Sequence, residues 1–268
     1  MVTIVFVATG LLYAASCAAY LLYVVKGKAQ QAKVGTGLLW AAAAAHLAFF
    51  VADYATAGRI PVGTIHQLLS LASLLIIVAY LLALRRYRLA VVGGFITPVT
   101  LLFFMGAALG QSVAHVPPDV RSALLPLHIG VNVLGIVAFA LAFAVALAYV
   151  IQERLLRSKR IGGLFQRLPS LDVLDSLSFR LVTIGFPLLT VGIVTGTIWA
   201  VRLEPDAPGI TTGQGFAVVA WLVFAAVLLL RVAAGWRGRR AAIGTMLGFV
   251  CAMAVLVGYM LQASEGTH

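Results

Sequence analysis

The chain has 268 residues, 62% of them hydrophobic and only 10% charged, with a formal net charge of +11 and a mean hydropathy of +1.06. A soluble domain of this size carries about 25% charged residues, so lipid must be the solvent for most of the surface, where helices and closed barrels alone satisfy the backbone. The apolar runs are about 20 residues long and rich in Leu, Ala and Val, which selects helices over the alternating segments of a barrel.

Eight runs follow in chain order: Thr3–Val25, Leu38–Ala57, Gln67–Leu84, Leu89–Gly110, Ala123–Ile151, Phe179–Val201, Gly215–Arg231 and Ala242–Leu261. They predict an all-α, polytopic integral membrane protein, one transmembrane domain over residues 1–268. The first run has no basic residue before Lys26, so it reads as a retained helix and not a cleaved signal. Cys17 and Cys251 lie inside apolar runs and form neither CxxC nor CxxCH. They read as small buried hydrophobes, and the chain attaches no c-type haem to itself.

Sixteen of the nineteen cations fall on alternate loops. Lys26, Lys28 and Lys33 follow the first run, and Arg85, Arg86 and Arg88 the third. Arg154, Arg157, Lys159, Arg160, Arg167 and Arg180 surround the loop after the fifth, and Arg231, Arg237, Arg239 and Arg240 follow the seventh. Cytoplasmic loops collect Lys and Arg, so these loops are expected inside, with the N-terminus and C-terminus both outside, as in a bacterial-type cytoplasmic membrane. The same placement makes the charge a topology and lipid signal, not a nucleic-acid one.

The longest inside loop, residues 152–178, starts a helix at Pro169 and Ser170 with Leu171, Leu174 and Leu177 three apart. This predicts a short interfacial helix, serving either a membrane-lying connector or a partner surface. In the sixth run Pro187 predicts a kink. Gly192 and Gly196 form a GxxxG around Thr195, which favours close helix approach within the chain.

The chemistry-bearing residues are five histidines. His46 lies near the middle of the second run, His66 at the outer start of the third and His115 in the outer loop after the fourth. His128 lies about two turns into the fifth and His268 ends the chain. At about 1.5 Å of rise per residue, His128 sits roughly 10 Å below the outer boundary. An imidazole in hydrocarbon is costly unless partnered. His46 and His128 are therefore either neutral rings bonded to a neighbouring helix or ligands. His66, His115 and His268 read equally as interface or terminal histidines. Zinc wants three or four ligands, often with Cys or carboxylate, and no HxxxH or HExxH pair is present. Haem iron takes one or two axial histidines in an apolar, aromatic setting, for which Phe103, Phe104, Phe139 and Trp199 could supply walls. Asp53 is placed to orient an outer-leaflet group or to mark a helix end. No Ser/His/Asp set, phosphate-cradling glycine loop or carboxylate pair appears, so an enzyme is not expected.

The segment Leu174–Ala200, with Gly185, Pro187, Gly192, Gly196 and Trp199, resembles the cytochrome c assembly family. That family includes the CcsA and CcmC haem-handling proteins and the smaller HemX-like branch. Ala57–Pro61 resembles its outer loop before the third helix. Leu127, His128 and Ile129 followed by Gly135 resemble the start of its haem-ligand helix. Gly235–Arg240 before Gly248 and Phe249 resembles its last inside loop and helix. The resemblance spans residues 40–262. It departs from the haem-delivering members where Arg202–Gly209 lacks their tryptophan-rich segment and where Leu229 stands at their intramembrane histidine. The HemX-like branch lacks the tryptophans too and tends to keep a histidine like His46.

The resemblance implies non-covalent haem b, and through that branch, control of haem synthesis by the level of glutamyl-tRNA reductase docked at the cytoplasmic face. It gives His128 the first external haem ligand, and places His268 near the second, one residue out of register. The expected iron ligands are His128 with His46, from two helices facing one cavity, with His66 and His268 in reserve. Cytochrome c maturation by haem transport, and a structural membrane partner with haem-free histidines, are the alternatives.

Overall fold

In the lipid interior a backbone amide has no water to bond, so each apolar run closes its own i to i−4 ladder. The computed structural model describes residues 2–58, 64–87, 89–109, 124–203 and 212–265. Their helices are α1 (Val2–Lys26), α2 (Ala29–Ala57), α3 (Ile65–Arg86), α4 (Gly93–Leu109), α5 (Leu124–Arg157), α6 (Leu164–Arg167), α7 (Leu171–Leu203), α8 (Thr212–Ala233) and α9 (Arg239–Glu265), with a 3₁₀ turn at Ala90–Val92. Eight of them are long and apolar enough to cross a membrane, so the chain is a multi-pass helical membrane protein.

The helices pack as two groups. α1, α2, α3 and α4 form the first, and α5, α7, α8 and α9 the second, with α5 lying against α3 and α4 to join them. Side chains such as Ile4, Val25, Leu109 and Val232 point outward, which suits lipid and would be unfavourable in water.

Hydropathy misplaces two helix starts. α2 begins at Ala29 instead of Leu38. Its polar first turns are held on α1, where Ser16 Oγ donates to the Gly35 carbonyl at 2.8 Å and the Tyr20 and Thr36 hydroxyls bond at 2.7 Å. The segment expected to lie flat from Pro169 is instead the start of α7, continuous to Leu203 and passing through Pro187. Leu174, Ser178 and Val182 are buried one above another at four-residue spacing, so these turns stand along the bundle. Within residues 152–178 the short helix is Leu164–Arg167.

The basic residues gather at one end and several are used there. Arg167 reaches back to α1, donating to the carbonyls of Tyr23 and Val24 with its guanidinium over the Tyr23 ring. The Tyr23 carbonyl also accepts from the Gly27 amide at 2.9 Å, so the guanidinium adds to the backbone bond that closes α1. Arg231 of α8 makes a bidentate pair with Asp175 of α7, at 2.9 and 2.7 Å. The Gly238 amide donates to the same carboxylate at 3.0 Å, which ties α7, α8 and the approach to α9 together.

The Arg231 side chain is only 9% exposed, so Asp175→Ala is expected to destabilise by about 3 kcal/mol by leaving a cation unpaired. Asp175→Leu with Arg231→Met should recover most of that loss. Thermal unfolding in detergent measures both, and an Asp175→Ala midpoint equal to wild type would refute the assignment.

Candidate functional site

α5 and α7 run antiparallel along a seam of glycines. His128 faces Gly196, Asn132 faces Gly192, Gly135 faces Leu188 and Leu189, and Phe139 faces Gly185. Each step toward the end of α5 meets an equal step toward the start of α7. A Cβ at Gly196 would lie 2.8 Å from His128 Cε1, one at Gly192 2.5 Å from Asn132 Oδ1, and one at Gly185 2.7 Å from Phe139 Cε1. Each would force His128, Asn132 or Phe139 to shift, so the present approach rests on α7 having no side chain at those three positions. The GxxxG therefore works within the chain, and it is the wall against which His128 rests.

The bonds around His128 come from both helices. Thr195 Oγ1 has one proton, and it lies 2.7 Å from the Val191 carbonyl and 3.2 Å from that of Gly192, so its proton points back along its own helix. His128 Nδ1 is 3.0 Å from the same oxygen, an arrangement that suits a proton on Nδ1. Asn132, one turn along α5, donates to the His128 carbonyl at 2.7 Å, and its amide also lies 3.2 and 3.3 Å from the two ring nitrogens. The ring is half-buried and held from both helices. Farther along, Trp221 Nε1 of α8 donates to Thr190 at 3.0 Å, and Phe139 stacks on Phe224 at 3.9 Å.

His46 has a different environment. It is fully buried, with Nδ1 2.9 Å from the Tyr13 hydroxyl of α1 and Nε2 2.8 Å from Ser70 Oγ of α3. Phe50 stacks on it and Phe104 meets it edge-on. Both ring nitrogens are thus engaged within the α1–α4 group, whereas His128 belongs to the α5–α7 seam. His66 is half-buried at the start of α3 and donates from Nδ1 to the Ala107 carbonyl at 2.6 Å, so its Nε2 is the acceptor nitrogen. Gln67 Nε2 donates to Asp53 at 3.2 Å, joining α3 to the end of α2. His115 and His268 fall outside the described residues, as does the Trp199 side chain. Among the described residues no three of His, Cys, Asp and Glu gather in one place.

Three partners escape a linear reading. Tyr13 and Ser70 look like ordinary polar residues in apolar runs, and only the meeting of three helices gives them a role. Asn132 carried a local signal, a second polar residue one helical turn from His128. The site is a pre-oriented neutral imidazole in an apolar seam, able to donate a lone pair to a metal or proton and, among the described residues, lacking the clustered acids that hydrolysis would use.

The sequence profile of the Cytochrome C assembly protein family matches residues 5–266. A "Cytochrome c biogenesis protein CcsA" of Parasynechococcus marenigrum is 31% identical over 230 residues, covering 76% of this chain and 75% of that protein. One from a Synechococcus species is 30% identical over 230 residues, covering 76% of each chain. Another from Gloeothece citriformis is 27% identical over 266 residues, covering 81% of each.

Tyr13→Phe and Ser70→Ala each strip one bond from the buried His46 ring, and each is expected to cost about 2 kcal/mol. Thermal midpoints in detergent measure this. Midpoints unchanged in both variants would show that the ring does not depend on these bonds.

Proposed function

The chain belongs to the cytochrome c assembly protein family, and on that premise we propose that it is a haem-binding membrane protein of cytochrome c assembly with His128 as an iron ligand. The observation that carries the proposal is the setting of His128, a half-buried imidazole held by Thr195 and Asn132 where α5 meets α7. Metal-bound histidines characteristically donate the second ring N–H to a fixed acceptor, and Thr195 Oγ1, 3.0 Å from Nδ1, supplies one here. An uncharged ligand nitrogen in an apolar, partly enclosed seam fits haem iron. Haem b would supply an iron centre and a flat apolar ligand surface. The chain's own contribution is orientation: Thr195 fixes the ring plane, Asn132 fixes its backbone and side, and Gly196 makes room for it.

His66 is the second ligand to consider, because its Nδ1 proton is committed and its Nε2 is the acceptor nitrogen. His46, fully buried with a hydroxyl on each ring nitrogen, is assigned to holding α1, α2 and α3 in register, whereas His128 is half-buried. With the basic end cytoplasmic by the positive-inside rule, both chain ends and the His128 face lie on the other side of a bacterial-type membrane. The role is binding and presentation, with no catalysis by this chain.

A second reading has its own support. Arg202–Gly209 contains no tryptophan, and Leu229 stands where the resemblance to haem-delivering members implies a histidine, the departures that favour a HemX-like regulator. Such a protein would bind haem at the same place and act on the level of glutamyl-tRNA reductase through the cytoplasmic loop. Deleting the gene separates the two. Loss of membrane c-type cytochromes with normal glutamyl-tRNA reductase supports assembly, and the opposite pattern supports regulation.

Absorption spectra of the detergent-purified protein, oxidised and reduced, test the shared core. Wild type should show a b-type spectrum that His128→Ala abolishes or shifts. Thr195→Val should weaken haem affinity tenfold to a hundredfold, the scale of losing an outer-shell partner, while Thr195→Ser should retain it. A protein that is colourless and takes up no added haem would sink the proposal and leave a structural membrane protein whose histidines only satisfy their neighbours.

A further inference from the structure

We propose that the groove between the start of α7 and the end of α8 binds the phosphate group of an anionic phospholipid, with Arg180 and Arg237 as its cationic walls. The groove is open, holds about 400 Å³ and is lined by Ser176, Phe179, Arg180, Arg231, Val232 and Arg237. Of its three arginines, Arg231 is already committed. It grips both oxygens of Asp175 and lies 4.2 Å over the Phe179 ring. Asp175 in turn accepts from Arg231 twice and from the Gly238 amide, so its charge is matched and its oxygens are occupied.

Arg180 and Arg237 are different. Both are exposed, and neither makes an ion pair with a carboxylate among the described residues. They line the same groove from two elements that the Asp175 network locks together, with Gly238 at a φ of +73° turning the chain beside Arg237. Two like charges lining one opening repel each other, and an anion between them relieves that repulsion. Guanidinium groups meet phosphate oxygens in a planar fork, and basic pockets between transmembrane helices are suited to anionic headgroups.

The apolar surroundings choose between a lipid and a dissolved anion. Val232 on the rim is 78% exposed, and Leu229 one turn earlier on α8 is 66% exposed. They continue from the groove along the face of the helix that the bilayer covers. A free phosphate has no use for that stripe, whereas the acyl chains of a phospholipid lie along it.

Native mass spectrometry of the full chain, released from micelles holding phosphatidylglycerol and phosphatidylcholine in fixed ratio, reads the retained lipid. Wild type is expected to keep one phosphatidylglycerol. Arg180→Gln with Arg237→Gln should weaken retention about thirtyfold, at roughly a factor of five per arginine near the bilayer surface. Arg180→Lys with Arg237→Lys keeps the charges and should stay within about threefold. Lys28→Gln with Lys33→Gln removes the same charge from the same end and should change nothing. Equal losses in the two glutamine pairs, or none in the arginine pair, would overturn the proposal. So would inorganic phosphate stabilising the protein in pure phosphatidylcholine as well as phosphatidylglycerol does, because the anion would then be a soluble one.

Discussion

The approach of α5 to α7 sets the rest of the architecture. Three glycines of α7 receive His128, Asn132 and Phe139 of α5 at separations where a single methyl group would collide. In lipid no hydrophobic force drives helices together, so their association rests on packing and interhelical bonds. Absence of side chain on one helix is what lets the other bring a histidine, an amide and a large aromatic ring to the contact. Once the seam closes, Phe139 stacks on Phe224 and brings in α8. Thr190 sits where Trp221 reaches it, and the outer face of α5 remains to join α3 and α4.

The two ends of the bundle use polar chemistry differently. At the basic end three arginines are matched by charge or by helix carbonyls: Arg231 with Asp175, Arg157 with Glu153, and Arg167 on the end of α1. These contacts pin connections of the chain. In the region of His46, His66 and His128 each imidazole is bonded to a hydroxyl, an amide or a carbonyl. A neutral ring in apolar surroundings keeps a lone pair suited to a metal, and a protonated ring loses it.

Much of this was legible from residue order, and the failures have physical causes. The eight apolar runs correspond to eight membrane-length helices, because the cost of unpaired backbone in lipid leaves hydropathy few alternatives. The helix start at Ala29 was missed, because its polar turns are stabilised by tertiary bonds that a hydropathy window cannot see. Pro169 and Ser170 did mark a helix start, and that helix runs on without a break to Leu203. His128 stood out at once, and Gly192, Thr195 and Gly196 stood out separately as a packing motif. That the motif is the wall of the histidine site follows only from the antiparallel register. His46 was conspicuous for being polar in an apolar run, and its partners Tyr13 and Ser70 lie 33 and 24 residues away, beyond any local pattern.

The central claim is that His128 presents Nε2 to iron from a ring held by the α5–α7 seam. Chemical rescue tests it most directly. His128→Gly should leave a cavity the size of the missing ring against Gly196, and the purified variant should take up haem poorly. Adding imidazole should restore the wild-type absorption spectrum in a saturable way, with His66→Gly as a parallel variant to show which ligand the added base replaces. A His128→Gly protein that binds haem with an unaltered spectrum, indifferent to imidazole, would contradict the account and move the iron to another residue.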